Sequence, residues 1–441
     1  MSGDPAKTVV RMWLSAYRTE VILFLACFVL FAAFSAQRFL RQSEAPHFVY
    51  QAKAWLDGRL DLDPQILPNM EDWACVHKEG AVLQRCGQNV LPQDRWYVSF
   101  PWFPAVVMLP FVAVNGYQFN DTSFGVFVGA LTVALFYGLL RMLRAQGESD
   151  RTDRDNLLLA LTLAFGTLFF YCTLRGEVWF SAEVMGVGLS CLYLHNAVGA
   201  RRPLLAGLFF SMAVLTRTPL LFTGLFFLLE ALCPGPTNRL QQLKAVVKRP
   251  AAVVKKLSRF ALGALPLALL AGAYNQLRFG RASEFGHKFL FNNRVNEDTD
   301  RFGLFNLEFL GRNLKAAFLL LPTLTTHPLH LDYNPHGLSL FLTLPFLFLL
   351  LFPRTKSRLT LPLWLTVALC ALPGLFYMND GYIQFGFRFS LDYTPYLVLL
   401  LAVSGWSLKN RWVLGLLGLG VLVNFWGAAA FHGYTEYVRH G

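Results

Sequence analysis

Four polar segments carry the side chains that could do chemistry: Glu44–Asp63, Arg175–Glu183, Arg278–Arg312 and Asn379–Asp392. Each mixes carboxylates, guanidinium groups or imidazoles with aromatic residues, beside otherwise apolar runs. Carboxylates and imidazoles accept and return protons. Guanidinium groups hold phosphates or carboxylates through paired N–H donors. Charge next to a bilayer is costly to bury and usually faces a wet cavity. A single polar loop needs no explanation beyond water. Four from distant positions, placed on one side by the topology argued below, predict a cavity in which polar groups converge, the default form of a functional site.

The first segment, EAPHFVYQAKAWLDGRLDL, reads as a short amphipathic helix lying on a membrane. Phe48, Val49, Ala52 and Leu56, with Trp55, form its apolar side. His47, Gln51, Lys53 and Asp57 form its polar side, and Gly58 is placed to end it.

The elements that position these segments are apolar. Of 441 residues, 55% are hydrophobic and 15% charged, too little charge to cover a water-soluble surface. Long apolar runs recur along the chain, so it reads as an all-α polytopic membrane protein. The formal charge of +12 belongs to basic loops held on the cytoplasmic side, not to a nucleic-acid site. Seven cysteines are too few for a disulfide scaffold. Cys27, Cys172, Cys191, Cys233 and Cys370 lie in or beside apolar runs as small core residues. Cys75 and Cys86 share the first polar loop and could form a disulfide if that loop is outside.

Lys7, Arg11 and Arg18 precede an apolar run, Glu20 to Gln37, without a small-x-small cleavage site. It reads as an uncleaved first span with its N-terminus inside. Residues 38–121 form a first outer loop: the short helix, a coil with Pro and Asp, the cysteine pair, then Pro101–Gly116. That last stretch is too short to cross and holds Pro101, Pro104 and Pro110, so it reads as interfacial or re-entrant. Spans follow at about 122–143, 156–174 and 180–198. Residues 203–233 form two short spans meeting outside at Arg217, or one kinked helix. Arg239, Lys244, Lys248, Arg249, Lys255, Lys256 and Arg259 mark 234–259 as a basic cytoplasmic loop resting on anionic lipid. A span at about 260–278 leads to a second outer loop, 279–336, with a short helix near 306–321. Spans at about 337–353, 359–377, 392–407 and 412–430 close the chain, and the tail from His432 ends outside. This makes about eleven spans in a single domain, without an internal repeat.

Four landmarks now carry a resemblance. They are the single first span; the helix pattern His47-x-x-Tyr50-x-x-x-Ala54-x-x-x-Gly58; the aromatic-Pro segment Phe100-Pro101-Trp102-Phe103-Pro104; and the Gly207…Leu215-Thr216-Arg217 turn, with Gly386-Phe387-Arg388 near the last spans. This layout resembles the GT-C membrane glycosyltransferases, the class that holds protein O-mannosyltransferases and lipid A aminoarabinose transferases. The resemblance implies a GT-C-like bundle. It implies a polyprenyl-phosphate sugar donor drawn from the membrane lipid, a glycan, lipid or protein acceptor, and transfer on the outer face of the membrane; separately, a bacterial inner membrane suits a short chain with no retention signal.

That chemistry needs a base for the acceptor hydroxyl, cations for the departing phosphate and an apolar groove for the prenyl chain. Where the family carries an Asp-Glu pair, this chain has Pro46-His47, with Glu44 as the nearest carboxylate. The resemblance therefore implies His47 or Glu44 as base, and Glu183 at the second acidic position, with Glu177 nearby. Either glutamate could instead pair with Arg175. Arg388, Arg217 and Arg301 are the implied phosphate ligands, with Tyr50 and Asp392 in the same cavity. Arg388 and Asp392 stand at i and i+4, a spacing that also suits a plain helix-surface ion pair.

Asp61-Leu62-Asp63 and Asp298-Thr299-Asp300 spell an acid-x-acid pattern. Both read as outside turns or solvated charge, although Asp298 and Asp300 could hold a divalent ion. No metal or other cofactor is assigned. Gly415, Gly418 and Gly420 are expected to let helices pack closely. Two other functions fit the same layout: a non-catalytic assembly subunit, for which Pro46-His47 is the argument, and a lipid or sugar transporter. A transporter is expected to show repeat symmetry and midplane charges; this chain shows little of either, and its charges cluster at span ends.

Overall fold

The structure is a computed structural model that describes residues 17–68, 72–233, 250–291, 293–326 and 329–440. Lys7, Arg11, Arg239, Lys244, Lys248 and Arg249 lie outside the described residues. The chain is mainly helical. Its first half holds α1 (Arg18–Ser35), α2 (His47–Leu56), a sheet of β1 (Trp73–Glu79), β2 (Val82–Arg85) and β3 (Arg95–Val98), then α3 (Phe103–Asn115), α4 (Asp121–Ala145), α5 (Asp153–Phe165), α6 (Phe169–Thr173), α7 (Val178–Ala197) and α8 (Pro203–Val214). Its second half holds α9 (Gly224–Leu232), α10 (Pro250–Phe279), α11 (Asn293–Phe302), α12 (Leu310–Phe318), the hairpin β4 (Thr323–Thr326) and β5 (Leu329–Asp332), α13 (Leu340–Thr343), α14 (Leu347–Leu351), α15 (Thr360–Phe376), α16 (Thr394–Val403) and α17 (Arg411–His440).

Among the described residues, five helical stretches are long and apolar enough to cross a membrane: Arg18–Leu40, Asp121–Ala145, Val178–Ala200, Pro250–Phe279 and Arg411–Phe431. The other apolar runs are shorter helices or broken ones. Residues 156–174 divide at Gly166 into α5 and α6, and residues 337–353 divide around Pro345 into α13 and α14. Pro345 lacks the N–H that a continuous helix would need. Lys255, Lys256 and Arg259 belong to α10, so the basic loop ends earlier than expected.

Basic and acidic loop residues meet at one end of the bundle. Arg358 bridges Glu148 (2.8 Å) and Glu230 (2.7 Å). Buried Arg151 donates to the carbonyls of Ala402 (2.8 Å), Leu401 (2.9 Å) and Trp406 (2.7 Å), which tie α16 to the start of α5. A Thr152–Asp155 capping box starts α5 there.

The other end carries α2, α3 and the sheet. Helix α2 covers His47–Leu56, and Gly58 follows in the left-handed region at φ +70°. The segment after it is not a coil. β1 pairs antiparallel with both β2 and β3, and Cys75 is disulfide-bonded to Cys86 across β1 and the end of β2 (Cα–Cα 5.4 Å). Trp73 and Trp96 fill the underside of the sheet. Arg278, at the end of α10, donates to Val98 O (3.0 Å) and lies over the Tyr274 ring (3.9 Å), locking the sheet to that helix. The disulfide closes a short loop, so Cys75→Ser with Cys86→Ser is expected to cost about 3 kcal/mol, mostly by releasing unfolded-state entropy. Thermal unfolding with and without reductant measures it; reductant should shift the native chain and leave the double variant unchanged.

Candidate functional site

Helix α7 enters the bundle beside α2, with Val178 N donating to Ala45 O at 3.0 Å. Its N-cap residue, Glu177, is buried and holds the buried Arg175 guanidinium through two hydrogen bonds, 3.1 Å and 2.6 Å. Burial alone would raise this carboxyl; Arg175 outweighs it and holds Glu177 below the usual carboxylate range. Arg175 also lies over the rings of Phe180 (5.3 Å) and Phe431 (4.8 Å).

Six residues further on, about 9 Å along the axis, Glu183 is 1% exposed. Its Oε1 accepts from Arg388 Nη1 at 3.0 Å and lies 3.9 Å from Arg217 Nη2. Its Oε2 accepts from the Cys172 thiol at 3.6 Å. Arg217 meets Asp392 side-on through two hydrogen bonds, 2.9 Å and 2.8 Å. Two guanidiniums and two carboxylates thus form one neutral, interlocked quartet inside the bundle. Arg388 Nε is buried and, among the described residues, finds no acceptor.

Local sequence explains each placement. α8 stops at Val214, and Arg217 is extended (φ −143°) before a 3-10 turn that starts Thr218-Pro219. Proline suits that first position and stops the continuation of α8. Gly186 on α7 leaves room for the Arg217 stem, because a Cβ there would sit 3.1 Å from Arg217 Cγ. Phe103 N donates to Leu215 O at 2.9 Å, so α3 starts against the same turn. Arg388 opens a second 3-10 turn, Arg388–Asp392. Its backbone N–H is held by Gln384 Oε1 (3.0 Å), and Gln384 in turn donates to Asp380 O and His336 O.

Four residues singled out from sequence therefore converge: Glu183, Arg217, Arg388 and Asp392. The others do not join them. His47 is buried, with its ring stacked on Trp73 at 3.7 Å and 8°. It faces the sheet and not an open mouth; Gln51 is likewise buried, and Leu56 is exposed. Glu44 is exposed just before α2. Tyr50 is half-buried against Tyr117 (4.8 Å) and lines a shallow groove with Asp57, Arg59, Asp61 and Asp63. Arg301 is exposed on α11 and lies over its neighbour Phe302.

The acid-x-acid pairs face arginines: Asp61 with Arg95 (2.6 Å), Asp300 with Arg85 (2.5 Å) and Asp298 with Arg312 (3.4 Å). Asp61, Asp298 and Asp300 are thus each paired with a guanidinium. Cys75, Cys86 and Asp94 lie close enough to share a metal, but the disulfide removes both thiolates.

The sequence reading missed His287. It opens a 3-10 turn after Gly286, its ring edges towards Phe100 (5.7 Å) and Tyr377 (6.4 Å), and it is partly exposed. Tyr377 packs on Phe389 (6.1 Å), over which both Arg217 and Arg388 lie. A lone His after Gly inside FGHKF was the available signal. The arrangement can bind an anion at its buried cations and move a proton at its edge. No protein-family model, no curated protein and no solved structure matches the chain.

Proposed function

We propose that this protein is a GT-C-type glycosyltransferase of about eleven spans, moving a sugar from a polyprenyl-phosphate donor to a glycan, lipid or protein acceptor at the outer face of a bacterial inner membrane. The buried quartet of Glu183, Arg388, Arg217 and Asp392 carries this reading. Buried ionic residues are expensive in a membrane protein and are kept where they handle charge. Arg388 and Arg217 lie side by side over Phe389, and Arg388 keeps an unused N–H. Together they suit the phosphate that leaves with the lipid. The two carboxylates hold those guanidiniums in register until the donor arrives. The exposed flank of α10, with Leu262, Leu265, Leu269 and Leu270, offers an apolar path for a prenyl chain. The disulfide agrees with an oxidising compartment on the sheet side.

The test is transfer of radiolabel from a panel of polyprenyl-phosphate sugars, with purified protein in lipid and a crude membrane acceptor extract. The expected result is transfer from at least one donor, lost in Arg388→Ala with folding intact. Donor binding without turnover in any extract would instead mark a non-catalytic subunit. Absence of binding would remove the reading and leave lipid transport to be tested.

A further inference from the structure

We infer that His287 takes the proton of the acceptor hydroxyl at this site, an assignment that rests on the transfer reaction proposed above. Position is the first argument. The half-buried imidazole stands at the edge of the quartet, in a row that runs His287, Tyr377, Phe389, Arg217, with each neighbour 5.7–6.4 Å from the next. An acceptor entering over this edge meets His287 before the buried cations.

Fixity is the second argument. Gly286 adopts φ +99°, and a Cβ there would lie 2.7 Å from the Phe279 ring and 3.1 Å from Ser99 Cα. The backbone before the imidazole is therefore wedged between the end of α10 and the residue after β3. On the other side, Phe291 N donates to Trp73 O at 2.9 Å and Leu290 bridges Ala74. A turn tied at both ends aims its side chain.

Availability is the third. Among the described residues the His287 ring nitrogens have no hydrogen-bond partner, whereas every other candidate base near the quartet is engaged. Both oxygens of Asp392 accept from Arg217, and those of Glu183 accept from Arg388 and Cys172. His47 is buried behind Phe100, whose ring edges towards both imidazoles. His336 is held through Nδ1 by Asp380 at 2.6 Å. The charged and titratable groups around His287 are Arg217, Tyr377 and, beyond Tyr377, the Asp72 carboxylate, whose charge reaches that phenol and whose carbonyl accepts from Ser99 Oγ; Phe100 and the Trp73–Ala74 stretch are uncharged. Burial first, and the Arg217 charge second, push this imidazole down to about 4, so it is neutral and able to accept a proton at pH 7.

The step balances without a further reactant. The acceptor oxygen forms the new bond to the sugar C1. The C1–O bond to phosphate breaks, and its electron pair stays on the phosphate oxygen beside Arg388 and Arg217. The hydroxyl proton moves to His287, which returns it to water or to the departing phosphate.

The experiment uses the full-length protein in lipid, with radiolabelled polyprenyl-phosphate sugar and the acceptor extract found to support transfer. His287→Ala is expected to lower kcat by about 100-fold or more, leave donor binding unchanged, and recover part of its rate with added imidazole. Wild-type turnover should hold as pH falls from 7 and drop on a limb near 4, as the imidazole protonates; His287→Ala should lack that limb. Unchanged turnover in His287→Ala overturns the assignment alone. So does a loss that follows donor binding and is not rescued, or a loss found in His336→Ala and not in His287→Ala. No transfer by the wild type overturns the reaction and this base with it.

Discussion

If the proposed transfer reaction holds, Arg217→Ala is expected to lower it at least about 100-fold, because it removes one of the two cations assigned there to the leaving phosphate. It should also destabilise the chain by about 3–5 kcal/mol, since Asp392, 4% exposed, is left buried without its partner. The two effects separate in a second variant. Arg217→Met with Asp392→Leu removes the pair together and replaces it with apolar volume, a change that is often neutral or stabilising. Thermal unfolding should return towards the native value while transfer stays absent. Recovery of transfer in that double variant would show that the pair is a packing device. Glu183 lies 3.9 Å from Arg217 and touches Arg388, so effects at the four positions will not add.

Gly207→Val is the second large effect. α8 and α10 cross with their backbones in contact at this point. A Cβ on Gly207 would sit 2.0 Å from Phe260 O, and one on Gly263 would sit 2.1 Å from Leu204 O. Neither obstacle is a flexible side chain, so the helices must separate, at a cost above the 1–3 kcal/mol typical of overpacking. α8 also leads into Arg217, so transfer should fall with stability. Gly415→Val is the control: nothing lies within 4 Å of a Cβ there, or at Gly418. Melting temperature and yield in detergent should fall for Gly207→Val and stay unchanged for Gly415→Val.

That contrast shows where reading the sequence stops. Glycines spaced along one apolar run predict close packing, yet Gly415 and Gly418 face open space. Among the described residues of that helix, Gly420, against Gly166 O, and Gly427, against the Phe385 ring, make the approach. Spacing says which residues share a face and not what that face meets. The same limit explains His47. Taken alone, α2 divides into apolar and polar sides, and the imidazole falls on the polar one. The sheet supplies Trp73 over that side, and β1 was hidden in a stretch read as coil. Spans fared better where one helix does the work alone, as in α4 and α10. Elsewhere Gly166 and Pro345 break the expected runs into shorter helices.

Arg217 was legible because a charge that interrupts an apolar run is visible without a structure; Glu183, Arg388 and Asp392 stood in polar segments beside spans, and the family resemblance singled out Glu183. The pairing of the four was not legible. Arg388 and Asp392 would face one another on an α-helix, but the segment folds as a 3-10 turn with three residues per turn. Its two ends point apart, to Glu183 and to Arg217. His287 went unremarked because its value lies in what surrounds it.

The quartet also sets a problem of timing. Glu183 is made 205 residues before Arg388, and Arg217 is made 175 residues before Asp392. At ordinary synthesis rates each waits on the order of 10–40 s for its partner. A lone charge buried away from water is costly for that long. The 3.9 Å approach of Glu183 to Arg217 is the one ionic contact the described residues offer the two before residue 388 exists. On this account they shelter each other through insertion and exchange partners when the last spans arrive. A chain cut short before those spans would keep the provisional pair and never acquire the bidentate one.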